Sequence, residues 1–265
     1  MSTAAVPTLD VSGTPRTPLS RLVGVEIRKA IDTRAGFWFA TAIVGLVLVV
    51  LLIFSLVAPA GEKDLKDMLS VAGGALGYFL PILIIMLVTS EQSQRNGLVT
   101  FTLEPKRSRV VAAKLLAGIV LAAVVMVLAT LLAVVFTAVG ALSGDSAEWG
   151  LTGSQIFNGF VLPNTIGVFV GFAIAMLLMN TPAGIVAYFA YSLILPIAAG
   201  ILSALSSGFE KIAPWIEFNT AQMPLFSGDY QPSGEEWAQL ATSGFLWLVV
   251  PLVLGTLRLL RIEFK

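Results

Sequence analysis

The sequence has no cysteine and no histidine. The first absence excludes disulfides and thiolate metal centres, and the second excludes imidazole ligands and imidazole acid–base catalysis. Charge is scarce too. Only 12% of residues are charged, against roughly 25% in soluble domains. Basic and acidic residues cancel at sixteen each, so there is no net positive field to attract nucleic acid. No G-x-x-x-x-G-K-[ST] loop occurs, so the chain lacks the usual phosphate-cradling motif. No ionisable residue falls well inside an apolar span, which argues against ion-coupled transport. No serine or threonine there has an evident base or metal beside it, which argues against an intramembrane hydrolase. No catalytic residue, metal ligand or bound cofactor is therefore assigned to this chain.

What the chain does have is hydrophobic length. Apolar residues make up 57% of it, and the mean hydropathy is +0.90. About 20 apolar residues cross a bilayer as a helix. Windows without charge predict six such spans, at 36–58, 68–90, 110–142, 159–179, 183–205 and 240–257. The fourth and fifth share one long uncharged stretch, divided at Asn180-Thr181-Pro182. The expected fold is an all-α integral membrane protein with six transmembrane helices in a 35–265 domain. The third span, at 33 residues, is about 50 Å long and overshoots the hydrocarbon layer.

Residues 1–17 are rich in Thr, Ser, Pro and Gly and hold no apolar core. They read as a disordered cytosolic tail rather than a signal peptide. Residues 18–34 read as an interfacial helix. Leu19, Leu22, Val23, Ile27, Ala30 and Ile31 share one face, and Arg21, Arg28, Lys29 and Asp32 lie largely on the other. Thr17 is the expected cap, and Pro18 suits the first helical position. At the far end, 206–239 is too polar and proline-broken to span but carries six Phe, Trp or Tyr residues. It predicts short outer-side helices before the last span, shielded by protein.

Gly73-x-x-x-Gly77 and Gly167-x-x-x-Gly171 read as internal packing faces rather than a dimer seam. Asn164, Tyr188 and Tyr191 are polar residues inside the spans, beside Pro163 and Pro196. They fit a path for an amphiphilic substrate, or ordinary kinks and interhelical hydrogen bonds.

The loop between spans two and three is the most specific feature. Glu91 ends the second span. Arg95 and the hinge Gly97 follow, then a short apolar face of Leu98, Phe101 and Leu103. Pro105 stops that run, and Lys106, Arg107, Arg109 and Lys114 lead into the third span, with Ser108 as its expected cap. The pattern suits docking of a soluble partner. It resembles the permease subunits of ATP-binding-cassette exporters of the type-2 class. Those carry a Glu at the end of the second helix, then Gly, Leu, Pro, Ser-Arg and Lys, matched here by Glu91, Gly97, Leu103, Pro105, Ser108-Arg109 and Lys114. The N-terminal helix, six spans and outer segment fit as well. No large extracellular domain matches the polysaccharide exporters.

The resemblance implies a permease that pairs with a second copy or homologue. It would bind cytosolic ABC ATPase subunits, on which ATP and Mg would sit, through Glu91, Arg95, Gly97, Leu98, Phe101, Leu103, Pro105, Arg107 and Arg109. A non-transporting scaffold or immunity-type protein that docks a soluble partner would present a similar loop.

Thirteen of the sixteen basic residues fall on the side of both termini and the 90–114 loop, and three on the other. The positive-inside rule then makes both termini cytoplasmic in a multi-pass protein of the cell membrane. A reporter active only in the cytosol is expected to work at Lys265 and to fail within 143–153; the reverse pattern would refute this topology.

Overall fold

The computed structural model describes residues 17–59, 61–93, 106–142, 148–227 and 230–261, without the side chains of 91–93, 260 and 261. Among these residues every regular element is helical and no strand occurs. Helix α1 is Leu19–Asp32, α2 Arg34–Val57, α3 Leu65–Ser93 and α4 Arg107–Leu142. Helix α5 is Gly153–Leu178 and α6 Thr181–Leu205. Two short helices follow, α7 Ser207–Ile216 and α8 Phe218–Gln222. The last, α9, runs through Gly234–Gly244, Phe245–Val249 and Val250–Arg261. Six of these helices are long and apolar enough to cross a membrane, as expected for an all-α membrane protein. Helices α3 and α5 are the most enclosed, and α2, α4, α6 and α9 pack around them with broad exposed apolar faces. In a bilayer those faces meet lipid rather than water.

Sequence sets most helix starts through capping side chains. Thr33 caps α2, Asn180 caps α6 and Ser206 caps α7. Thr152 with Gln155 and Ser233 with Glu236 form capping boxes on α5 and α9. The two expected caps, Thr17 and Ser108, do not act this way. Helix α1 begins after Pro18 with no side-chain cap. Ser108 lies inside the first turn of α4, which starts one residue earlier. The α1–α2 elbow is tight. A Cβ at Gly36 would lie 1.9 Å from the Ala30 carbonyl oxygen, so only glycine fits there.

Helix α4 has 36 residues, about 54 Å, well beyond ~30 Å of hydrocarbon. Its buried stripe is mostly small: Ala113, Ala117, Ala129, Ala133, Thr137 and Gly140. Small residues let helices approach closely where no hydrophobic effect drives them together.

Helices α5, α6 and α9 each contain a π turn, at Phe157–Val161, Ala190–Ile194 and Phe245–Val249. Each is followed two residues on by a proline: Pro163, Pro196 and Pro251. Proline removes one backbone donor and clashes with the carbonyl four residues back. The wider π turn absorbs both effects and keeps the helix continuous. Side chains then satisfy carbonyls of these turns. Asn164 Nδ2 donates to the Phe160 carbonyl at 2.8 Å, and Asn219 Nδ2 to the Tyr191 carbonyl at 3.1 Å. The 206–239 segment does form short helices among its described residues. It is held by the Trp247 indole N–H on the Ile216 carbonyl at 2.7 Å. It is also held by buried Glu217, whose two oxygens accept from the backbone and side chains of Asn219 and Thr220.

Gly73, Gly167 and Gly171 serve internal packing, whereas a Cβ on Gly77 would meet nothing within 4 Å. A Cβ at Gly171 would lie 2.7 Å from the Pro81 carbonyl oxygen and 3.0 Å from its Cα, both backbone atoms of α3. Gly74 has nothing within 4 Å. We expect Gly171→Ala to destabilise the protein by about 1–3 kcal/mol, the usual cost of overpacking, and Gly74→Ala to be neutral or slightly stabilising. Thermal unfolding in detergent checks both, and equal midpoints for the two variants would contradict the α3–α5 contact.

Candidate functional site

The helix ends near Thr17, Arg107, Met179 and Leu259 gather at one end of the bundle, here the basic end. Helix α1 lies across it. The face of α1 turned to the protein carries Leu22, Val23, Ile27 and Ala30, with Glu26 in their midst. Glu26 is 5% exposed, as is Lys114 on α4. Lys114 Nζ donates to Glu26 Oε2 at 2.7 Å, and Lys29 Nζ donates to Oε1 at 2.8 Å. One buried carboxylate thus joins α1 to the third span. The sequence reading places Lys114 in a basic cluster at a helix mouth. The structure instead buries it two turns inside α4, which is tolerable because Glu26 offsets its desolvation.

The arginines of this end reach backbone carbonyls. Arg107 Nη1 donates to the Leu259 carbonyl at 2.7 Å, in the last turn of α9. Arg109 Nη2 donates to the Thr17 carbonyl just before α1. Arg258 Nη1 donates to the Leu177 carbonyl at 2.7 Å, in the last turn of α5. Final-turn carbonyls have no partner within their helix, and they carry the negative end of its dipole. A guanidinium satisfies both needs. Thr89 Oγ donates to the Ile85 carbonyl at 2.7 Å, so the 2.6 Å contact with Thr181 takes its hydrogen from Thr181. That bond joins α3 to the start of α6.

Of the coupling residues expected from the sequence, Arg107 and Arg109 therefore lie beside α9 and α1. Glu91 is in the last turn of α3, with its side chain outside the described residues. Arg95, Gly97, Leu98, Phe101, Leu103 and Pro105 lie outside the described residues altogether. Beside the last turns of α3 is a cleft of about 330 Å³, lined by Lys29, Gly36, Met86, Leu87, Ser90 and Pro182. It lies between the α1–α2 elbow, the end of α3 and the start of α6.

The substrate-path residues lie deeper. Asn164 is 3% exposed and packs on Gly73 of α3, with its Oδ1 unpaired. Tyr188 donates its hydroxyl to the Gly77 carbonyl at 2.6 Å, one turn further along α3. Tyr191 stacks between Tyr188 and Trp247, with centroid separations of 6.0 and 5.5 Å. All three are buried between helices.

Glu26 is the residue that pattern reading passed over. Its signal is a carboxylate at helical spacing among Leu22, Val23, Ile27 and Ala30, inside an otherwise apolar stripe. One partner, Lys29, is local at i,i+3, but the other is 88 positions away, so the stripe alone does not name Lys114. The chain matches no protein-family model, and no curated protein is significantly similar to it in sequence.

Removing one partner of a buried ion pair typically costs about 3–5 kcal/mol, while replacing both by apolar residues of similar size is often neutral. We expect Glu26→Ala and Lys114→Ala each to lower the unfolding midpoint in detergent strongly, and Glu26→Leu with Lys114→Met to recover most of the loss. Additive losses in the double variant would show that the two groups do not depend on each other.

Proposed function

We propose that this chain is the permease subunit of an ATP-driven exporter of the ABC type-2 class. It sits in the cell membrane with both termini cytoplasmic, pairs with a second permease copy or homologue, and works with separate cytosolic ATPases. It moves an amphiphilic substrate by alternating access. The loop pattern from Glu91 to Lys114 suggests the class. The observation that carries the reading is the clamp on α1 at both Glu26–Lys114 and Thr17–Arg109. A partner that pulls on the 94–105 segment pulls on the end of α3 and the start of α4. Through the clamp it pulls on α1 as well, and through Arg107 on α9. Nucleotide-driven closure of two ATPases needs such a lever. Only a ligand or partner that prefers one state shifts an equilibrium between two.

The test is affinity purification in mild detergent, with identification of co-purifying chains and assay of their ATP hydrolysis. A P-loop ATPase is expected. Gly97→Val is expected to insert normally and to bind that ATPase about tenfold more weakly, ~1.4 kcal/mol. Glu91→Ala is expected to leave assembly intact and to lower substrate-stimulated hydrolysis. Recovery of a soluble partner without nucleotide hydrolysis would instead support the docking-scaffold reading. Normal assembly and turnover in both variants would remove the coupling role.

A further inference from the structure

Away from the basic end, a cleft of about 380 Å³ opens between α4 and the first half of α5, with Leu69 of α3 at its edge. Its walls are almost wholly apolar, and Ala122 and Ala123 keep the α4 side open. Phe160 closes the floor and is 4% exposed. The Thr130 hydroxyl donates to its own helix, to the Met126 carbonyl at 2.9 Å, so it adds little polarity. A smaller hollow shares Leu69, Leu151 and Phe160 with this slot and adds Lys66, Ser70, Gln155 and Tyr230. An apolar slot therefore lies next to a small polar hollow of about 10 Å³, the mouth, with which it shares a wall.

The mouth is built at some cost. Tyr230 has φ of 60°, a left-handed conformation that strains a residue with a side chain. Asn158 Nδ2 holds it by donating to its carbonyl at 2.6 Å. Its ring lies over Gly159, where a Cβ would be 2.7 Å away. Asn158, Gly159 and Phe160 all belong to the π turn of α5. That turn shapes the slot and the mouth together, and π turns are frequent at functional sites.

The mouth's cation is Lys66, in the first turn of α3. Its ammonium forms a loose, solvent-exposed ion pair with Asp67 at 3.7 Å, longer than a hydrogen bond and of the exposed kind worth little, so a phosphate can compete for it. Lys66 stands at the end of a span, and its side chain is 42% exposed. Such a lysine keeps its stem on apolar surface and its charge in the polar zone.

We propose that slot and mouth form a phospholipid site. One hydrocarbon chain lies between α4 and α5, and the headgroup phosphate meets Lys66, with Ser70 and Gln155 beside it. The solvent around these helices is the bilayer, so a hydrocarbon chain is the occupant present at high concentration. The phosphate matches the ammonium at the mouth. This site stands apart from the permease reading, because a lipid can be held here whether or not anything is transported.

The test uses the full chain in lipid nanodiscs carrying a phospholipid with a diazirine on its acyl chain. A diacylglycerol with the same chain is the neutral comparison. The phospholipid should label 119–127 and 156–161 ahead of exposed apolar positions elsewhere, such as Val186 and Leu205. Ala123→Phe places a ring in the slot from an exposed position. It should cut that labelling about fivefold without changing the unfolding midpoint. Lys66→Gln should lower phospholipid labelling several-fold and leave diacylglycerol labelling unchanged. Labelling spread evenly around the bundle, or insensitive to Ala123→Phe, would overturn the slot. A Lys66→Gln effect that is absent, or equal for both probes, would overturn the phosphate contact.

Discussion

A carboxylate buried between two ammonium groups holds the basic end together. Glu26 sits on the side of α1 that packs against the bundle, so the helix cannot roll or lift without exposing an unpaired charge to a poor solvent. That cost is several kcal/mol per ion. The contact therefore works more as a constraint than as a source of stability. It fixes which face of α1 turns inward and at what register along α4. The apolar residues left outside, Val25 and Ile31 on α1 and Phe37 and Trp38 past the elbow, suit a headgroup-level position. An amphipathic helix held only by lipid would have no such register.

The same rule governs the backbone. Inside a bilayer every N–H and C=O needs a partner from the protein. The chain places prolines in α5, α6 and α9, and each break is managed by a π turn and, in two cases, a side-chain amide. Helix ends at the basic end follow suit, with guanidinium groups on the last-turn carbonyls of α5 and α9. Asn164 shows both sides of this arrangement. Its amide nitrogen repairs a π turn, while its oxygen is left buried without a partner. Asn219 does better, because Glu217 beside it accepts from the same amide.

Much of the fold was readable from the residues. Charge-free windows marked all six long helices, because a span is defined by what it lacks. The break before Thr181-Pro182 and the length of α4 were visible for the same reason. The short helices before the last span followed from aromatic residues in a segment too polar to cross. The site was less legible. Arg107, Arg109 and Arg258 bond to carbonyls between 81 and 152 residues away. Every residue has a carbonyl, so such pairings leave no trace in side-chain patterns. Glu26 was hidden in another way: its buried partner is a charge 88 positions away, and a lone Glu in an apolar stripe reads as noise until the stripe has a neighbour. The π turns were invisible because proline marks a perturbation without saying how the helix absorbs it.

This changes how the basic cluster should be understood. A positive charge near a membrane helix end can set topology, bind a partner or close off a helix terminus, and these roles are not exclusive. Arg107 and Arg109 already hold α9 and the start of α1, each committing part of its guanidinium fork to a backbone carbonyl. In the permease reading, a docked ATPase would gain little from them by charge alone. Recognition would fall to the apolar face of Leu98, Phe101 and Leu103, presented by Gly97 and ended by Pro105. The arginines and the Glu26–Lys114 pair would then be what the docked partner moves. In that reading binding and force transmission would be separate tasks of neighbouring residues, the first resting on apolar contact and the second on buried charge pairing.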